Sequence, residues 1–216
     1  MVTQNANGFK HITLLRKLIL EKRSGTAWFD GEDWRGEIEF ERGMISGEAT
    51  RHISMVLSEP VFRMGWEKPH PSRRQPTLTM PVRNTVSKAI ATMNMPVKRM
   101  IAYRKQFETL PNIKIRHMSL FRADHAYQKH FQELYQMSLV SNGASLSDYF
   151  AAAIEIAELR VRVNIALGAY CLGDLVAVPA PVPAAIADTE QLKGEDLARV
   201  SVVSRILTKL REGRSG

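Results

Sequence analysis

Residues 36–49, reading GEIEFERGMISGEA, constrain the fold most, because two strand-like runs meet there across a glycine turn and pass straight into a helix pattern. Ile38 and Phe40 alternate with Glu37, Glu39 and Glu41, which gives one apolar and one acidic face, the signature of a half-buried strand. Arg42-Gly43 turns the chain, since glycine adopts the positive φ of a short hairpin loop, and Met44 and Ile45 resume the apolar run. The stretch holds no catalytic group.

Around this hairpin the pattern builds a small α+β unit over residues 1–68. Phe9, Ile12, Leu15, Leu18 and Ile19 recur at helical spacing until Ser24-Gly25 ends the run. Residues 26–29 are short, aromatic and β-prone, and Asp30-Gly31-Glu32-Asp33 supplies a turn. A short helix is expected over residues 49–57, closed by Pro60, and then a strand with Phe62, Met64 and Trp66 on one face. The three tryptophans, Trp28, Trp34 and Trp66, are expected in its core.

Prolines 69, 71, 76 and 81 with the pair Arg73-Arg74 mark residues 69–81 as an extended linker and a domain boundary. Residues 82–175 are mostly helical in pattern. Val86, Ile90 and Met93 precede Pro96, and Val97, Met100 and Ile101 follow it. Ile113 and Ile115 suggest one isolated strand, and residues 127–140 a helix that Asn142-Gly143 breaks. Ser145 is placed to cap a helix continuing from Tyr149 to about Ala169. A Pro/Ala-rich spacer over residues 176–196 and an amphipathic helix over residues 197–212 complete the reading. The fold class expected is therefore α+β: a small antiparallel sheet with helices, then a mostly helical region.

Charge narrows the choice of partner. The 216 residues carry 30 Lys and Arg against 22 Asp and Glu, a net +8, and the excess lies in the middle third. Such a balance attracts nucleic acid, anionic lipid or an acidic protein face. Arg73, Arg74, Lys98 and Arg99 are the candidate partner-binding residues. One cysteine, Cys171, leaves no intrachain disulfide, and no window approaches the roughly 20 apolar residues of a membrane span, so a cytoplasmic protein is expected.

Chemistry has little foothold in this sequence. Neither phosphate-loop pattern, G-x-x-x-x-G-K or G-x-G-x-x-G, occurs. Cys171 lies in an apolar run and reads as a core residue rather than a nucleophile. His125 and His130, five residues apart, share a helical face poorly, so His130-x-x-Glu133 is not read as a metal site. No catalytic residue, cofactor or metal is assigned.

With Leu14-Leu15, Ser24-Gly25, Gly36, Ile38, Phe40, Gly43, Ile45 and Ala49 in place, about the first third of the chain resembles the PATAN family of small bacterial adaptor domains. The resemblance implies a non-enzymatic part of bacterial signalling and surface motility, and a protein partner such as the extension ATPase of type IV pili. A second resemblance covers residues 127–175, where the order helix, S-L-S-D cap, helix, helix and Gly173 is similar to a winged-helix core. It implies the alternative function, a DNA-binding transcriptional regulator, with Arg160 and Arg162 exposed on a recognition helix within residues 158–164. Only Val176 and Val178 are available for its wing, and Pro179 interrupts them.

Overall fold

The computed structural model describes residues 9–45, 49–69, 80–117, 125–140 and 142–178. The linker arginines Arg73 and Arg74, most of the Pro/Ala spacer and the amphipathic helix over residues 197–212 lie outside them. The fold is α+β, with a five-stranded antiparallel sheet and seven helices among the described residues.

The chain opens with α1 (Lys10–Leu20), whose Ile12, Leu15 and Leu18 are buried as their spacing predicts. Next come β1 (Gly25–Asp30), β2 (Arg35–Glu41) and β3 (Met44–Ile45). The β2–β3 loop is the residue pair Arg42-Gly43, with φ of 49° and 86°. Positive φ at both central positions makes a turn whose twist matches the strands it joins, and glycine carries the second position without a Cβ penalty. The helix α2 (Ala49–Ser58) then leads into β4 (Arg63–Glu67).

Sheet order is β4-β1-β2-β3-β5, where β5 is the two-residue strand Met80–Pro81. The end of the expected linker thus joins the sheet, Met80 pairing with Ile45 and Pro81 with Met44. Proline is tolerated there because an edge strand leaves one side without ladder bonds.

Five helices follow in two groups. Those before the second sheet are α3 (Val82–Thr92) and α4 (Val97–Glu108). After β6 (Ile113–Ile115) come α5 (His125–Ser138), α6 (Leu146–Ala151), α7 (Ile156–Cys171) and β7 (Leu175–Ala177). Ser145 caps α6 by accepting from Asp148 N at 3.2 Å, as expected. The single helix expected from Tyr149 to Ala169 is instead two. Glu155 is extended, and the Glu158 carboxylate accepts from Ile154 N at 3.0 Å, so a side chain at the first turn of α7 fixes a fresh start.

The centre of the molecule is α7. Nearly every residue from Arg162 to Cys171 is buried, because α1, α3, α4, α5 and α6 all pack on it. A helix apolar on all sides is stable only when surrounded. Phe9 binds the first third of the chain to this centre, its ring edge-on to Tyr103, Phe107 and Tyr170 at 5.3 to 5.6 Å. Arg16 adds a hydrogen bond to the Tyr170 carbonyl and stacks on its ring at 4.5 Å. The described residues between 9 and 178 therefore share one hydrophobic core, and the boundary read at residues 69–81 does not separate two.

The strand β6, expected alone, pairs antiparallel with β7. Among the described residues this two-stranded sheet pairs β7 with a strand preceding α5, and the winged-helix detail is not confirmed. No helix among the described residues is long and apolar enough to cross a membrane.

Candidate functional site

Two surfaces stand out, one on α4 and one on the sheet. Along α4, Met100, Tyr103 and Phe107 face inward and are buried. The opposite face carries Val97, Lys98, Ile101, Ala102 and Lys105, all exposed, with Ile101 at 43%. Apolar and cationic side chains alternate on this face, and the carboxylate at its end, Glu108, is held by Arg104 at 2.6 Å. The apolar residues that follow Pro96 in the helical pattern divide, Met100 facing the core and Val97 and Ile101 facing outward. Packing of Met100, Tyr103 and Phe107 on the body sets the inward face, and Val97 and Ile101 lie off it.

The candidate residues on α4 divide. Lys98 is exposed and belongs to the outward face. Arg99 is partly buried: it donates to His11 Nε2 at 2.9 Å and to the Tyr103 hydroxyl at 3.2 Å, with its guanidinium 5.0 Å from the Tyr103 ring centre. The Tyr103 hydroxyl donates in turn to the Leu57 carbonyl at 2.9 Å. This chain joins α1, α2 and α4, so Arg99 positions helices. Burial, aided by the Arg99 charge, pushes His11 down to about 3 and keeps it neutral. Burial raises the Tyr103 hydroxyl well above its ordinary value.

Arg162 is likewise inside the molecule, only 3% exposed. It forks onto the Glu133 carboxylate at 3.0 and 2.9 Å, reaches Glu158 at 2.8 Å and donates to the Tyr149 carbonyl at 2.9 Å. Its guanidinium has no face left for a phosphate. The expectation that Arg160 and Arg162 are exposed on a recognition helix is thus corrected for Arg162, and Val163 and Asn164 are buried beside it. Arg160 is partly exposed. The Ile154 amide, followed by the Arg162 hydrogen bond, holds the Glu158 carboxyl below its usual range. His130 lies 3.5 Å from Glu133 and 3.8 Å from Glu158 within this cluster. Among the described residues no three ligands are grouped to hold a metal ion.

An open groove between α2 and α3 is lined by Arg51, Ser54, Met55, Lys88, Thr92 and Asn94, among others. Its hydroxyls are occupied internally: Ser54 donates to the Ala89 carbonyl at 3.2 Å and Thr92 to that of Lys88 at 2.8 Å. The groove therefore presents few convergent polar groups.

On the sheet, Ile38 and Phe40 are buried while Glu37, Glu39 and Glu41 point outward, as the alternation predicts. The strand β4 forms one edge, and no described strand pairs with its outer side. Trp28 is not a core residue. It lies opposite Gly65 on the outward face, and a Cβ on Gly65 would overlap its indole ring. Phe62, expected to share a buried face with Met64 and Trp66, is 58% exposed. Its amide donates to the Asp30 carbonyl at 2.9 Å although the ladder pairs Asp30 with Arg63, so Phe62 and Arg63 face one residue across a β-bulge that turns Phe62 out. The tryptophan-glycine contact and the bulge involve residues far apart in sequence and left no periodic trace. In comparisons with family models, curated proteins and solved structures, nothing matches the chain.

Proposed function

We propose that this chain is a non-enzymatic cytoplasmic adaptor that regulates a larger protein by stoichiometric binding, and that its partner is the extension ATPase of type IV pili. The observation that carries the binding role is the outward face of α4, where Val97 and Ile101 lie among Lys98 and Lys105 and the Glu108 carboxylate at its far end is taken up by Arg104. Exposed apolar groups rimmed by one sign of charge suit an amphipathic, acidic protein surface. The order α1, β1, β2–β3 hairpin, α2, β4 accords with the adaptor-domain resemblance, and that resemblance supplies the ATPase. Regulation of this kind requires only that the adaptor bind one motor state more tightly than another.

Co-purification at low salt, with the tagged full chain as bait in a pilus-bearing bacterium, tests the proposal. The ATPase is expected with the wild-type chain. It is expected to be lost with Lys98→Glu combined with Ile101→Asp, two exposed changes that alter stability by less than about 0.5 kcal/mol each. Failure to recover any ATPase, or recovery unchanged by the double variant, counts against it. Retention of DNA in a steeply salt-dependent manner instead would favour the regulator reading.

A further inference from the structure

Among the described residues no strand pairs with the outer edge of β4, and that edge is complementary to itself. In the β1–β2 ladder Asp30 pairs with Arg35, and in the same register Gly31 N donates to the Trp34 carbonyl at 2.8 Å. Odd-numbered residues of β1 therefore direct their backbone groups toward β2, and even-numbered ones toward β4. The partners of the even residues, Arg63, Gly65 and Glu67, bond inward. Met64 and Trp66 consequently turn both N–H and C=O to the open edge.

We propose that β4 pairs antiparallel with β4 of a second copy of this chain, about a twofold axis through Gly65. In this register Met64 of one copy exchanges both backbone hydrogen bonds with Trp66 of the other, and the reverse pair does the same. Arg63 stands opposite Glu67 of the second copy, twice, by symmetry. The two other antiparallel registers that satisfy the same backbone groups centre on Met64 or Trp66. They set Arg63 against glycine or proline, so charge selects the axis at Gly65. A strand blunted against pairing carries charge of one sign or an inward-pointing charge. Here the signs are opposite and placed evenly about the pivot.

Side chains fit the same axis. Residues facing each other without exchanging hydrogen bonds approach most closely, and at the axis both are Gly65. Each Trp28 already lies on its own Gly65, so the two indoles flank the axis on the outward face. Phe62, turned out by the bulge, meets the Lys68 stem of the second copy. The product is one continuous sheet twice as wide.

Sedimentation velocity of the full chain across a concentration series tests this. Wild type is expected in monomer–dimer equilibrium. Glu67→Arg and Arg63→Glu each place like charges at two symmetric positions and are expected to weaken the dimer about tenfold. The double variant Arg63→Glu with Glu67→Arg restores opposite charges and the dimer. Arg63 also lies 3.2 Å from Asp30, so Glu67→Arg is the cleaner single change. Met64→Pro deletes an outward N–H that the monomer does not use, and is expected to abolish the dimer. Should that variant fail to fold, the charge exchange on exposed side chains still decides. A monomer at the highest soluble concentration, a dimer that neither swap weakens, or one that the double variant fails to restore overturns the proposal. None of these results depends on recovery of the ATPase.

Discussion

His11 is a buried base that folding keeps neutral. Its Nε2 accepts from Arg99, and at about 3 its pKa lies far below the ordinary 6.5. Between those values the unfolded chain binds a proton that the folded chain does not, so stability rises with pH through this window. The contribution is complete above about pH 6.5 and is lost as pH falls toward 3. From pH 7 to pH 5 the loss attributable to this one side chain is about 2 kcal/mol. Urea unfolding at the two pH values checks it, and His11→Gln is expected to remove that share of the slope. Residue patterns showed an amphipathic helix around His11. They did not show that its acceptor would meet an arginine 88 positions away. Arg99, read as a surface charge from composition, is for the same reason part of the scaffold.

Among the elements, α7 shows best where sequence reasoning succeeds and where it stops. Its apolar content marked a helix, and the cap at Ser145 was legible because N-capping is local chemistry. The break at residues 152–155 was not. Alanines favour helix there, and what overrides them is Glu158 reaching back to Ile154 N while holding Arg162. A tertiary ion cluster leaves no periodic signal. Arg162→Ala would leave Glu133 and Glu158 without their shared cation and is expected to lower stability by about 3 kcal/mol in urea melts. Arg160→Ala, on the same helix but partly exposed, is expected to change it by less than about 0.5 kcal/mol. Equal losses would show that the cluster holds nothing together. In α4 the same limit applies to the candidate site: the helix was legible, but which stripe packs inward, and with it the outward turn of Ile101, is decided by what Met100, Tyr103 and Phe107 meet across the core.

At the scale of the molecule, the proline-rich stretch resembled a boundary because composition records local stiffness, not what lies across a core. Phe9, Arg16 and the pair Arg83–Asp174 connect segments far apart in sequence, the last at 2.6 and 2.9 Å with Asp174 almost fully buried. The chain's one cysteine lies inside that connection. Cys171 is fully buried, and burial pushes its thiol up to about 12, against a smaller opposing effect of Arg16. The folded protein therefore presents no thiolate to an alkylating reagent, and modification waits for the structure to open. The side chain is thus a built-in clock for opening, with its readings referred to the whole body rather than to its own helix. Ile38→Ala in β2 and Leu134→Ala in α5 each cost about 3 kcal/mol and are each expected to speed labelling roughly 100-fold. Were the sheet to open separately from the helices, Ile38→Ala would leave the clock running at its original rate.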